Sequence, residues 1–191
     1  MQNWRRARWF DETALPWVIP SPNLPRPEAA VVSPGQVLLE GTNLSEGRGT
    51  TRPFELIGAP YIVPEDYARR LNSIGFPGVY FRSCVFQPTF QKHARVSCGG
   101  VQIHVTNREE FEPVIVGVAM VKTAYDMYPE HFSWKEPPYE YVYDRNPFDV
   151  IGGTNKLREA IKRVNSLESI KESWQSALAE FNQVRERYLL Y

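Results

Sequence analysis

Apolar and polar positions follow different rhythms along this chain, and each rhythm predicts its own kind of element. Pro113 to Tyr128 is apolar on most sides, which predicts a buried helix, and Pro129 ends it. Val101, Ile103 and Val105 alternate with Gln102, His104 and Thr106. That period of two predicts a strand within Val96–Thr106 with one buried face. The pair Gly99-Gly100 in the same stretch marks a bulge or a close backbone approach. Val79 to Phe86 is aromatic and β-branched, hence another strand. The short apolar run Val37 to Leu39 reads as a third, buried strand.

Helices are expected where end signals frame the pattern. Pro64 to Asn72 has Pro64 near its first position, Glu65 and Asp66 in its first turn, and Arg69 and Arg70 in its last. That charge order suits the helix dipole, and Gly75 follows as a stop. Thr154 is the expected N-cap of a helix with Leu157, Ile161 and Val164 on one face. Ser169 and Glu172 form a capping-box pattern, and Ile170, Trp174, Leu178 and Phe181 then carry a helical stripe. A short helix is expected over Pro27–Val32. Phe132 to Pro147 is aromatic, proline-rich and aperiodic, an ordered loop with a short extended piece. The fold class is therefore α+β (mixed α/β), a small sheet flanked by helices with an irregular Pro/Trp-rich N-terminal leader.

Composition narrows the function classes. The chain has 191 residues, enough for one domain with a real core. Its 22 basic and 22 acidic side chains cancel, which argues against a nucleic-acid footprint. No apolar stretch approaches the ~20 residues of a membrane span. Arg5, Arg6 and Arg8 are followed by no apolar segment of the secretory kind, so no signal peptide is read and localisation stays open. Cys84 and Cys98 have no metal spacing; each reads as a small buried hydrophobe, and a single bridge between them stays open. His93, His104 and His131 show no ligand pattern either, so neither metal nor cofactor is expected.

The chemistry concentrates after Leu39. Glu40 ends the apolar run, and Gly41, Gly47 and Gly49 follow, interleaved with Thr42, Asn43, Ser45 and Arg48. Glycines let the backbone turn and approach a ligand or another chain. Asn43 brings a donor and an acceptor, and Arg48 a planar fork of donors. The set suits a polyhydroxylated or carboxylate-bearing ligand. The plainer alternative is an ion pair of Arg48 with Glu40 or Glu46 that only closes the turn. There is no phosphate-loop ending and no G-x-G-x-x-G.

The run from Glu40-Gly-Thr-Asn-Leu-Ser-Glu-Gly-Arg-Gly-Thr-Thr-Arg-Pro-Phe-Glu-Leu-Ile-Gly-Ala to Pro60 resembles the signature of the bacterial exo-β-N-acetylmuramidases, the NamZ-like glycoside hydrolases. Leu15–Pro25, Phe90–Val105, Phe132–Tyr141 and Arg187–Tyr191 fit the same family in the same order. The resemblance covers nearly the whole chain, but only the family's C-terminal half. It implies a leader or interdomain segment at residues 1–35 and an auxiliary domain at 36–191, with the N-terminal Rossmann-like half absent. The Trp side chains of the leader (Trp4, Trp9, Trp17) are then expected to be exposed and to mark the interface with that half.

The resemblance also implies a reaction: removal of a terminal N-acetylmuramic acid from the non-reducing end of peptidoglycan fragments. Glycosidases usually set two carboxylates across the scissile bond. Glu40, Glu46 and Glu55 near the loop are available, as are Glu136, Glu140 and Asp144 in the aromatic segment. Glu40 is the catalytic candidate, with a structural hydrogen-bonding role as its alternative. Thr42, Asn43, Ser45, Arg48 and Tyr139 are the candidate substrate-binding residues, and Arg48 suits the lactyl carboxylate of muramic acid. Trp134, Tyr139, Tyr141 and Tyr143 either stack on sugar or pack their loop. The expected partners are muramic-acid sugars and a separately encoded N-terminal half, with no nucleic acid and no membrane. The competing reading is a non-catalytic remnant or subunit that binds a sugar or that half.

Overall fold

A computed structural model describes residues 4–163 and 166–190. Val164, predicted to line a helix face, lies outside them. At the centre stands α3 (Pro113–Met127), with every residue from Ile115 to Ala124 buried. Its apolar surround matches the sequence expectation, and the helix ends one residue early.

Two helices and a sheet enclose α3. Helix α1 (Pro27–Gln36) crosses it with backbone in contact with backbone. A Cβ built on Gly35 would stand 1.7 Å from Pro113 O, and one on Gly117 2.2 Å from Gly35 O. Glycine at both positions is what lets the two helices meet. The helix α1 runs four residues beyond the expected Val32 and continues into a 3-10 turn at Val37–Gly41. The strand expected at Val37–Leu39 is therefore corrected to a helical turn. A short apolar run carries no period, and burial of Leu38 and Leu39 is met equally by either backbone.

The sheet holds three antiparallel strands in the order β1-β3-β2: β1 is Leu56–Ala59, β2 Val79–Phe86 and β3 Cys98–Val105. The β2–β3 register runs unbroken from Val79↔Val105 to Phe86↔Cys98. Gly99 and Gly100 thus serve close approach, not a bulge: Cβ atoms there would meet Ile62 O at 2.1 Å and Ile57 O at 2.0 Å. Helix α2 (Pro64–Asn72) packs on β2 and β3, and its Tyr67 hydroxyl donates to Met120 O at 2.8 Å. Cys84 and Cys98 are both free thiols.

The C-terminal third differs in detail from expectation. After α4 (Pro147–Ile151), Thr154 Oγ1 accepts the Lys156 N–H at 3.2 Å, and α5 spans Lys156–Lys162 behind Asn155. The predicted single last helix is two: α6 (Leu167–Glu172) and α7 (Gln175–Glu186). Its cap is Ser166, whose hydroxyl accepts the Ser169 N–H, so Ser169 lies inside the helix instead of starting it. The stripe meets the core through Ile170 and the half-buried Trp174, whereas Phe181 is 60% exposed.

In the leader, a 3-10 turn at Phe10–Thr13 breaks the irregular path. The Trp rings are half-buried, contrary to expectation. Trp9 Nε1 donates to Glu109 and its ring lies under Arg108, while Trp17 packs edge-on against Phe10 and donates to Leu24 O. An indole buries most cheaply once its N–H has a partner. The exposed apolar side chains there are Leu15, Val18 and Ile19.

Candidate functional site

The 3-10 turn after α1 delivers Glu40 to the surface because Gly41 lies flat on α4. A Cβ on Gly41 would fall 2.4 Å from Phe148 Cα. The backbone then reverses under its own side chains. Thr42 Oγ1 donates to Leu39 O and accepts the Leu44 N–H. Ser45 pairs with Gly58 through two backbone hydrogen bonds, and its hydroxyl accepts the Gly47 N–H. Asn43 staples this turn to the aromatic segment: its amide donates to His131 O at 2.8 Å and accepts from Tyr61 OH at 2.8 Å and Ser133 N–H at 3.1 Å. The side chains of Thr42, Asn43 and Ser45 are thus engaged in holding the loop.

The other three candidates meet. Arg48 Nη2 donates to Glu40 Oε1, and Tyr139 OH donates to Glu40 Oε2 at 2.8 Å. Arg48 Nε donates to Glu46 Oε1 at 3.0 Å. Glu46, 3% exposed, is the deepest carboxylate in this row, and its other oxygen accepts from Lys92 Nζ at 3.0 Å. Lys92 also donates to Leu39 O and Leu44 O at 2.8 and 2.9 Å. Charge therefore alternates along the row Lys92, Glu46, Arg48, Glu40, closed by the Tyr139 phenol. Pairing on both sides is what makes burial of Glu46 tolerable.

This row forms the floor of a concavity of about 270 Å³, with Lys135 and Glu140 at its edge. A second hollow of about 340 Å³, lined by Leu24, Pro34 and Phe54, opens on the other side of the Glu40–Arg48 pair. Burial, then the hydrogen bond to Glu40 and the negative charge there, pushes the Tyr139 phenol well up, so it remains a proton donor at neutral pH. Burial draws the Lys92 ammonium down, against the pull of Glu46. The segment carrying Lys92 is bent sharply: Gln91, His93 and Arg95 have φ of 67°, 56° and 63°. Left-handed backbone at three non-glycine residues is a strained arrangement that gathers at functional sites. It is held by Thr89, whose N–H and hydroxyl both donate to Gly49 O.

Sequence reasoning singled out Glu40, Arg48 and Tyr139 but missed Lys92 and Lys135. A lone lysine in a polar loop carries no local signature. Trp134 packs among Tyr125, Phe132 and Phe148, whereas Tyr141 and Tyr143 stand exposed. His93 Nε2 lies 2.7 Å from Asn43 O, and His131 stacks on Tyr61. Among the described residues no group of His, Cys, Asp or Glu is placed to hold a metal ion. Chemically, Glu40 is an acceptor carboxylate clasped by a cation and a phenol, beside space for a small polar ligand.

Fold and site together define an α+β domain with a loop-built carboxylate site on its surface. Residues 31–191 match the family described as "Exo-beta-N-acetylmuramidase NamZ, C-terminal", and the chain belongs to that family. It is 44% identical, over its whole length, to the peptidoglycan β-N-acetylmuramidase NamZ of Bacillus subtilis (strain 168), of which it covers 44%. The chain thus spans less than half of that relative. A crystal structure of a DUF1343 family protein from Bacteroides fragilis superposes with a TM-score of 0.84 at 25% identity, over 98% of this chain and 48% of that one. A second DUF1343 protein from the same organism shares the fold at a TM-score of 0.62 and 24% identity, over 91% of this chain and 43% of its own.

Proposed function

We propose that this domain, its body at residues 36–191 behind a leader at 1–35, forms one wall of an exo-β-N-acetylmuramidase site. The wall receives the terminal N-acetylmuramic acid of peptidoglycan fragments. The carrying observation is the Glu40 carboxylate, clasped by Arg48 and Tyr139 at the floor of a hollow edged by Lys135. It lies inside the region matched to the family. The Bacillus subtilis relative's name supplies the substrate class.

Glu40 accepts hydrogen bonds from a cation and a phenol, the partners of an acceptor and not of a proton donor. Its part is to orient a sugar hydroxyl or to act as base. Protonation of the leaving oxygen then falls to a group elsewhere, beyond the chain's share of the relative. Arg48 spends Nη2 on Glu40 and Nε on Glu46, which leaves Nη1 toward the lactyl carboxylate, with the Lys135 ammonium beside it.

The test uses a chromogenic muramic-acid glycoside with the purified chain, alone and with the remaining half of the Bacillus subtilis relative added. No turnover is expected from the chain alone, because positioning both reacting groups needs both walls. Once turnover is restored, Glu40→Gln is expected to lower it by ~10²–10⁴-fold, the range for an acid–base group. Arg48→Lys is expected to weaken binding of muramic acid more than of N-acetylglucosamine, because a single ammonium cannot hold Glu40 and Glu46 and still present the donor that Nη1 offers the lactyl carboxylate. Equal losses for the two sugars overturn the Arg48 assignment. Turnover by the chain alone, abolished by Glu40→Gln, overturns the two-wall reading.

A further inference from the structure

A third hollow, of about 400 Å³, lies between α1, β3 and the turn at residues 52–55, apart from the Glu40 row. Three guanidinium groups line it, those of Arg26, Arg52 and Arg108, together with Glu28, Glu55 and His104. Glu55 is 4% exposed. Its Oε2 accepts from Arg52 Nη1 at 2.9 Å, but its Oε1 accepts no hydrogen bond, and Arg26 Nε stands 3.5 Å away. His104 Nε2 is likewise buried without a partner. Buried polar atoms nearly always have one. Here two orphaned atoms belong to residues lining one hollow.

We propose that this hollow is a binding site for a small zwitterion, a molecule with a free α-ammonium group and a free carboxylate, such as an amino acid or a short peptide. The ammonium group supplies the missing donor to Glu55 Oε1, with Glu28 adding negative charge at the mouth. The carboxylate meets the arginine forks, the geometry a guanidinium binds best. Arg108 has its Nη1 fixed by both oxygens of Asp11, which orients the rest of its fork. Other ligand classes fit worse. An inorganic anion would face the open lone pair of Glu55, and a neutral sugar would offer no carboxylate to three guanidinium groups whose ion pairs with Glu55 and Asp11 use one nitrogen each. The volume lies within the range of small-molecule sites.

The experiment is calorimetric titration of the purified chain with alanyl-alanine, with alanine, and with two blocked dipeptides, N-acetyl-alanyl-alanine and alanyl-alaninamide. Saturable binding of alanyl-alanine or alanine is expected, and the stronger of the two names the ligand length. Each block removes a charged hydrogen-bonding end, expected to weaken binding by ~10-fold or more. Arg108→Gln and Glu55→Gln are expected to do the same. Should Glu55→Gln fail to fold, amide shifts of the unsubstituted protein carry the test: they are expected at Glu55, Ile103 and His104. No saturable binding of either free compound, equal binding of the blocked dipeptides, or shifts confined to the Glu40 loop overturns the proposal. None of these probes is a sugar, so the outcome is independent of the muramidase reading.

Discussion

Arg48 divides one guanidinium between two carboxylates, and that division sets the character of the site. The sequence allowed either a ligand-binding arginine or an ion pair with Glu40 or Glu46; the fold forms both ion pairs at once and keeps one nitrogen over. Asn43 shows the opposite outcome. It looked like a ligand contact, yet its amide makes three internal hydrogen bonds. Asn43→Ala is expected to destabilise the domain by ~1–3 kcal/mol by removing three hydrogen bonds at once, read as a lower urea midpoint at an unchanged slope. Cys98 gives a pH signature. Burial raises its thiol from 9.0 to about 11. The native state therefore holds a proton that the unfolded chain releases. That stability is complete below pH 9 and is lost as pH climbs toward 11. Urea midpoints measured between pH 8 and 11 are expected to fall more steeply for the native sequence than for Cys98→Ala. What residue types could not reveal is which polar groups face outward, because that depends on contacts 50 to 100 positions away.

At the scale of elements, punctuation was more readable than periodicity. Pro27, Pro64, Pro113 and Pro147 each begin a helix at its first turn, and the alternation in β3 marked its strand. The run at Val37–Leu39 misled, since three apolar residues hold less than one helical turn and fit both backbones. Strand β1 went unread because Leu56-Ile-Gly-Ala59 is four residues long and defined by its partner β3. The α1–α3 crossing was also hidden: Gly35 announces nothing by itself. Its consequence is testable. Gly35→Ala places a methyl 1.7 Å from a carbonyl oxygen of α3 and must push two helices apart. The expected cost is ~3 kcal/mol, at the upper end for overpacking. Thermal unfolding of Gly35→Ala beside Gly75→Ala checks the cause. At Gly75 a Cβ meets nothing within 4 Å, so only its φ of +78° is strained. The larger loss is expected at Gly35.

Over the whole molecule, the resemblance in ordered blocks was the most informative thing the sequence offered, and the family match bears it out. The sequence pointed to the loop that carries the proposed site, but not to how its row of charges is assembled. Glu40 and Tyr139 are 99 positions apart, and Lys92 reaches back 48 to Leu44. The row closes only when the 3-10 turn, the strained 91–95 segment and the loop around Tyr139 are all docked. The site therefore has no existence as a fragment: no peptide cut from the 40–60 signature retains it, however faithful its sequence. Ligand affinity and global folding should then disappear together. Sugar binding followed by fluorescence through a urea titration is expected to share its midpoint with the loss of helical circular dichroism. A binding midpoint well below the folding one would mean the loops let go first. With one shared midpoint, the signature behaves like a combination lock whose dial stands in one stretch of chain while its tumblers are spread across the others, so that copying the dial alone opens nothing.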